Sequence, residues 1–465
     1  MGTNSEREQE RKQLKEEMQA NPDAVVDLIL HLKRRIEELE ARLKMNSRNS
    51  SKPPSSDGYN KPSPKSQRIK SGLKSVCQPG HRGSTLRQVD NPDKVETMTL
   101  QCCPYTGVQL NESDVVDTIV RQVFDLPEQK LEVTEYRALV YQVPGSGTKV
   151  HAEFPQGVSA PQQYGFRFQA WLVYLVDYQL IPLGRVRRMC EDLVGYSVSE
   201  KTIATARERC EDNLEEFTEV TAAKLKNEPI VHADETGMRV GTDKASLHSL
   251  STADRTLYHI DCKGGSEAIE RMGILEDFNG VLVHDFWQAY LSLDCEHAIC
   301  NAHIVRELTF FEDLGQAWAK GLKTLLLKAC KDPGCQTAQE WKVSYRQRIQ
   351  EGYASNPFIP PPRKKGQRGK PAQPKVLNLL DRLDKYENWI LGFLDNPEIP
   401  FTNNQAEQDV RMAKVKQKIS GCFRHLKGSK TFATIRSYIS TCIKQDASIM
   451  DSLEKAMRNN AEIFT

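Results

Sequence analysis

The chain has 465 residues, 38% of them hydrophobic and 27% charged, with a formal net charge of +2. No run of eighteen apolar residues is present and the polar N-terminus lacks an apolar signal core, so neither a membrane span nor export is expected. Twelve cysteines without a short-domain spacing fit reduced thiols in a cytosol, and the length suits about two to four domains.

Residues 1–45 are helix formers. Val25, Ile29, Leu32, Ile36, Leu39 and Leu43 alternate in steps of four and three, a heptad seam that predicts a short coiled-coil oligomerisation helix, with a dimer the simplest outcome. The competing reading is one amphipathic helix packed on its own domain. Residues 46–76 are basic and rich in Pro and Ser, a composition that buries too little apolar surface to order itself. The segment reads either as a solvated linker or as one that follows a phosphate backbone.

Residues 77–165 predict a small β-rich domain, with alternating strands over 115–124 and 131–140 joined near Pro127. Cys102 and Cys103 resemble half of a zinc knuckle, but they are adjacent rather than spaced Cys-x-x-Cys. The second pair is missing near 143–147, and neither His81 nor His151 restores the spacing. The domain is degenerate zinc-finger-like, and zinc is not expected. Residues 166–226 are helical in pattern. One helix runs through Gln169 to Gln179, a second starts near Pro182, and a third starts after Ser199, a good N-cap. This helix-turn-helix-like order would offer Lys201, Arg207 and Arg209 to DNA, although helical hairpins without a DNA role are common.

From residue 227 the pattern changes. Strands are predicted over 230–234, 246–251 and 256–261, followed by a helix through Glu267 to Met272 and another apolar strand over 280–285. The first and fourth strands end in Asp234 and Asp285. Strand, strand, strand, helix, strand with acids in those places is the order expected of an RNase H-like core, assigned to 227–311 and 398–440. A helical insertion over 312–397 carries a basic, Pro-rich loop at 360–370, and a C-terminal helix occupies 441–465. Glu407 lies in a helical stretch after the insertion. Two strand-end aspartates and a helical glutamate can converge on hard divalent cations, which prefer carboxylate oxygens.

The flanking segments sharpen this. Asn46 to Asp57, Gln78 to Ser84, Asp234 to Arg239, His284 to Trp287, Cys300 to Leu308, Asn403 to Glu407 and Lys416 to Arg424 occur in an order that resembles the large DDE transposase of the insertion sequence 66 family. The resemblance spans nearly the whole chain. It implies a multidomain α+β protein: an RNase H-like α/β catalytic core with a helical insertion, preceded by the coiled-coil helix, the small β-rich domain and the helix-turn-helix-like region. It also implies that Asp234, Asp285 and Glu407 bind two Mg²⁺ ions, for which Mn²⁺ can substitute. The implied reaction is cleavage at the ends of the element, then attack of the freed 3′-hydroxyl on target DNA. The implied partners are both DNAs, a second copy or higher oligomer, and small accessory proteins of the same element; the implied place is the bacterial cytoplasm at the nucleoid. Gln408 departs from the family, which often has Arg there.

Around the three acids, Glu235 is expected to be a neighbouring field group, and Cys300 with His303 a near-site or structural pair rather than a zinc site, because no second pair accompanies it. Asn403 and Asn404 should cap the Glu407 helix, with Asn404 also touching DNA, and Arg411 lies one turn beyond Glu407. His284 should face the core. Lys414, Lys416, Lys418 and Arg424 form a basic stretch read as a DNA-backbone contact. A non-catalytic DNA-binding protein and a metal-dependent nuclease that never transfers strands are the competing functions.

Overall fold

The computed structural model describes residues 43–50, 57, 85–358 and 373–464, with scattered positions before residue 43. The expected linker and basic loop thus fall largely outside the described residues. Where residues 46–50 are described, they are docked rather than free. The Arg48 guanidinium donates to both carboxylate oxygens of Asp313 at 2.8 Å, Asn49 is buried, and the Ser47 N–H donates to Asp57. Polar side chains that satisfy one another can order a segment that has no apolar core of its own.

Residues 85–163 contain one hairpin, β1 (Val140–Gln142) against β2 (Lys149–His151), with Tyr141 opposite Val150. The strands expected over 115–124 and 131–140 do not form: apart from Val140 these residues join no ladder, and Val116 and Val123 are almost fully exposed. Alternation alone does not make a strand when no second layer covers its apolar side.

Four helices follow: α1 (Phe166–Val173), extended by a π-helical turn to Tyr178, α2 (Leu183–Val194), α3 (Glu200–Asp212) and α4 (Glu215–Lys226). Gly195 ends α2 in the left-handed region at φ 70°, which glycine adopts without a Cβ clash. The Ser199 hydroxyl accepts from the Thr202 N–H at 3.0 Å and starts α3.

The sheet then assembles from β3 (Ile230–Val240), β4 (Asp243–Ser251), β5 (Thr256–Asp261), β6 (Val281–His284) and β7 (Glu296–Ile299), with helix α5 (Ser266–Met272) between β5 and β6. Its order is β5-β4-β3-β6-β7. The first three strands are antiparallel neighbours, and β6 runs parallel to both β3 and β7. Strand β3 outruns its predicted end at Asp234 because β4 pairs with it as far as Val240, and Gly241 at φ 59° makes the return.

Period-two alternation sorts the sheet faces. Val231, Ala233, Leu250 and Leu282 pack with Leu225 of α4 and Ile269 of α5. On the other face, Val281 and Val283 pack under a helical layer made of α6 (Asn301–Asp313), α7 (Ala317–Lys331), α8 (Ala338–Ser355) and α9 (Lys375–Lys385). Two single turns, α10 (Glu387–Ile390) and α11 (Gly392–Asp395), lead to α12 (Asn404–Ser420), which lies along β3 and β4. Val410 and Ala413 of α12 bury against Leu247, Tyr258 and Ile260, together with Phe432 of α13 (Leu426–Lys444).

The C-terminal helix, α14 (Ile449–Met457), closes a shared core with the helices before the sheet. Ala170, Cys210 and Phe217 pack against Tyr438, Ile439 and Leu453. The protein is thus mixed α/β, with a mixed sheet and fourteen α-helices among the described residues. No helix among them is long and apolar enough to cross a membrane.

Candidate active site

Sheet register brings the two aspartates together. In the parallel pair, His232 lies opposite Val283. Asp234 is two residues beyond the first and Asp285 two beyond the second, so both sit at the same level and on the same side of the pleat. Each is held by a backbone donor: the Glu235 N–H reaches Asp234 Oδ1 and the Trp287 N–H reaches Asp285 Oδ1, both at 2.9 Å.

Glu407 arrives in the first turn of α12, and Asn403 fixes that helix end. Its side chain makes no cap bond. Instead Nδ2 donates to the Ala233 carbonyl at 2.7 Å, Oδ1 lies 2.8 Å from His232 Nδ1, and its backbone N–H donates to Cys300 Sγ at 3.2 Å. The expected capping role is therefore replaced by a clamp between α12 and β3. Buried Asn301 braces the same junction, donating from its side chain to the Ile390 carbonyl and from its N–H to Phe401.

The electrostatics agree with this convergence. Burial, then the facing charge of Asp285, pushes the Asp234 carboxyl up to about 7, with Glu407 and Glu235 adding smaller repulsions. Around Glu407 the contacts are long. Oε1 lies 3.7 Å from His303 Nδ1 and 3.8 Å from Cys300 Sγ, and Oε2 lies 3.9 Å from an Arg306 guanidinium nitrogen. Burial pushes the Cys300 thiol up to about 11, and burial with Arg306 holds the His303 imidazole below its usual range. Beneath the acids, the Tyr290 hydroxyl is buried without a hydrogen-bond partner. Among the described residues the carboxylate of Glu407 thus faces Cys300, His303 and Arg306, while Asp234 and Asp285 lie level with each other on the adjacent strands.

Neighbouring residues divide into engaged and free. Glu235 points away from Asp234 in the alternation of β3, and its Oε1 accepts from Ser246 Oγ at 2.6 Å. His284 is fully buried with Nε2 3.0 Å from His297 Nδ1. Lys414 donates to the Gly237 carbonyl. Two residues expected on a DNA face are withdrawn from solvent. Arg207 is buried and donates to both oxygens of Asp177 at 2.7 Å, and Lys416 is buried with Nζ on the Val176 carbonyl at 3.1 Å. Neither charge is available to a phosphate.

Lys201, Arg209, Asn404, Arg411, Lys418 and Arg424 are exposed. Arg411 forms no ion pair with Glu407; Arg306 stands there instead. Sequence reasoning passed over Arg306, although its spacing of three from His303 on α6 places the two on one helix face. Arg185, Arg187 and Arg188 are likewise exposed, on α2.

Residues 161–431 match the family model described as Transposase IS66 family, and residues 5–87 match a family of unknown function (DUF6444). No curated protein matches. Among solved structures, the chain is similar to one in the cryo-EM structure of a simian T-cell lymphotropic virus intasome in complex with the PP2A regulatory subunit B56 gamma. That likeness has 14% identity, covers 43% of this chain and 80% of that one, and has a TM-score of 0.14, too low to speak to the fold.

Proposed function

The chain belongs to the IS66 transposase family, and from that premise we propose that it is a DNA transposase whose catalytic core is RNase H-like, with Asp234, Asp285 and Glu407 as its acids. The observation that carries the proposal is the register of β3 and β6, which sets Asp234 level with Asp285, combined with the Asn403 clamp that brings the first turn of α12 to the same place. The order β5-β4-β3-β6-β7, with β4 antiparallel to its neighbours, supports the RNase H-like reading.

In this reading Asp234, Asp285 and Glu407 hold two Mg²⁺ ions, with Mn²⁺ able to substitute. When bound, such a pair activates the attacking oxygen and stabilises the leaving oxygen of an in-line phosphoryl transfer. The protein's own contribution is placement. Backbone donors orient the two aspartates, Asn403 holds Glu407 at their level, and the buried Tyr290 and His284 exclude water from behind the site. No side chain serves as nucleophile: water attacks first, then a DNA 3′-oxygen.

DNA lies along the exposed cations. Arg185, Arg187, Arg188, Lys201 and Arg209 offer one basic face, while Arg411, Lys418 and Arg424 with Asn404 offer another beside Glu407. Oligomerisation uses the N-terminal helix, where Ile29, Leu32, Ile36, Leu39 and Leu43 are helical and exposed. The protein works in the bacterial cytoplasm at the nucleoid, with small proteins of the same element as auxiliaries.

The test is Asp285→Ala on labelled element ends with Mg²⁺. Lost cleavage with retained DNA binding supports the assignment; retained cleavage removes Asp285 from the site. Strand-transfer products from the wild type separate a transposase from a simple nuclease.

A further inference from the structure

The pair Cys300 and His303 lacks a second Cys/His pair in the sequence, but the fold supplies a third ligand. Cys300 Sγ, a His303 ring nitrogen and a Glu407 carboxylate oxygen all lie within 4.8 Å of one another. A tetrahedral zinc ion with bonds of about 2.3 Å to sulfur and about 2.1 Å to nitrogen and oxygen separates its S and O ligands by about 3.6 Å, and its N and O ligands by about 3.4 Å. The observed separations, 3.8 Å from Cys300 Sγ and 3.7 Å from His303 Nδ1 to the same Glu407 oxygen, come within a few tenths of an ångström.

His303 Nδ1 is buried and has no hydrogen-bond partner, so one ligand atom is already without a protein competitor. Cys300 sits at the start of α6, where its Sγ accepts the Asn403 N–H at 3.2 Å and lies 3.8 Å from the Glu407 carboxylate. Thiol and imidazole select borderline-soft ions over Mg²⁺.

We propose that Cys300, His303 and Glu407 form a transition-metal site, for Zn²⁺ or Co²⁺ with the fourth position open, whose occupation takes Glu407 away from the catalytic acids and switches strand cleavage off. Glu407 cannot serve both. Its Oε1 faces Cys300 and His303 while its Oε2 faces Arg306, and a carboxylate anchored through sulfur- and nitrogen-bound metal is no longer free to turn toward Asp234 and Asp285. On capture the Cys300 S–H bond breaks, its proton passes to solvent and the sulfur binds the ion; nothing is oxidised. The inhibitory half of this inference rests on the assignment of Glu407 to the catalytic set; the binding half does not.

The experiment separates the two. The full-length protein is titrated with Co²⁺ alone, and the thiolate-to-cobalt charge-transfer absorption is compared with that of Cys300→Ser and His303→Asn, with Cys102→Ser/Cys103→Ser as the control for the other thiols. One equivalent of absorption lost in both site variants and kept in the control is expected. Absorption that survives in Cys300→Ser overturns the site, as does an absence of charge transfer in the wild type. In the cleavage assay, micromolar Zn²⁺ added to excess Mg²⁺ should inhibit the wild type at least tenfold more strongly than Cys300→Ser, each relative to its own zinc-free rate. Equal inhibition overturns the switch. A wild type that binds cobalt but never cuts DNA refutes the catalytic reading and leaves the metal site standing.

Discussion

Two carboxylates two residues apart on α12 live in opposite surroundings. Asp409 is firmly held: Oδ2 accepts from Ser251 Oγ at 2.6 Å, Lys444 Nζ at 3.0 Å and Thr256 Oγ1 at 3.1 Å. Glu407 has contacts no shorter than 3.7 Å. About 200° of helical rotation separates them, so Asp409 faces β4, β5 and α13 while Glu407 faces β3 and α6. A carboxylate with one oxygen held by three short bonds builds the fold; one left with only long contacts is available for chemistry.

The largest expected effect tests that contrast directly. Glu407→Gln should lower strand cleavage by about 10³-fold or more while the melting temperature stays near that of the wild type. Asp409→Asn should do the reverse. It leaves the buried Lys444 ammonium without its counter-charge, which costs about 3–5 kcal/mol, while activity per folded molecule is preserved. Chemical denaturation and cleavage measured on both variants check this; matching profiles for the two would break the contrast. An intermediate effect is expected for Asn403→Ala. Loss of its bonds to Ala233 and His232 should cost about 1–3 kcal/mol and lower the cleavage rate more than DNA affinity, because the helix carrying Glu407 loses its clamp. Unchanged cleavage would show that the clamp does not position Glu407.

The sequence made the acids legible because apolar runs of alternating or continuous pattern end on them, and those runs became β3 and β6. Other features were hidden for physical reasons. Strand β7 has four residues, too few to show a period. The alternation at 115–124 suggested a strand that no second layer supports. Arg207 and Lys416 read as surface cations because charge is a property of one residue, whereas their burial depends on Asp177 and a carbonyl from the π-helical turn. The neighbour of Cys300 and His303 was likewise out of reach: Glu407 lies 107 residues beyond Cys300, and only the fold brings them together.

The smallest predicted effect concerns Lys416, a buried charge that, unlike Glu407, has no chemistry to perform. Burial pushes its amine from 10.5 down to about 8, with Asp177 opposing that shift and Arg207 adding to it. Below pH 8 both folded and unfolded chains carry the charge, and the folded chain bears the full cost of burying it. Between pH 8 and 10.5 the unfolded chain holds a proton that the folded chain has lost, so this residue's contribution to stability rises with pH. Lys416→Met, similar in volume and apolar, should therefore be more stable than the wild type by about 1–3 kcal/mol at pH 7. That advantage should shrink as the pH passes from 8 to 10.5. Denaturation midpoints across this window decide it: a constant gap would mean that the amine titrates at its ordinary value, and that the Val176 carbonyl with Asp177 beyond it compensates the buried charge as fully as Lys444 compensates Asp409.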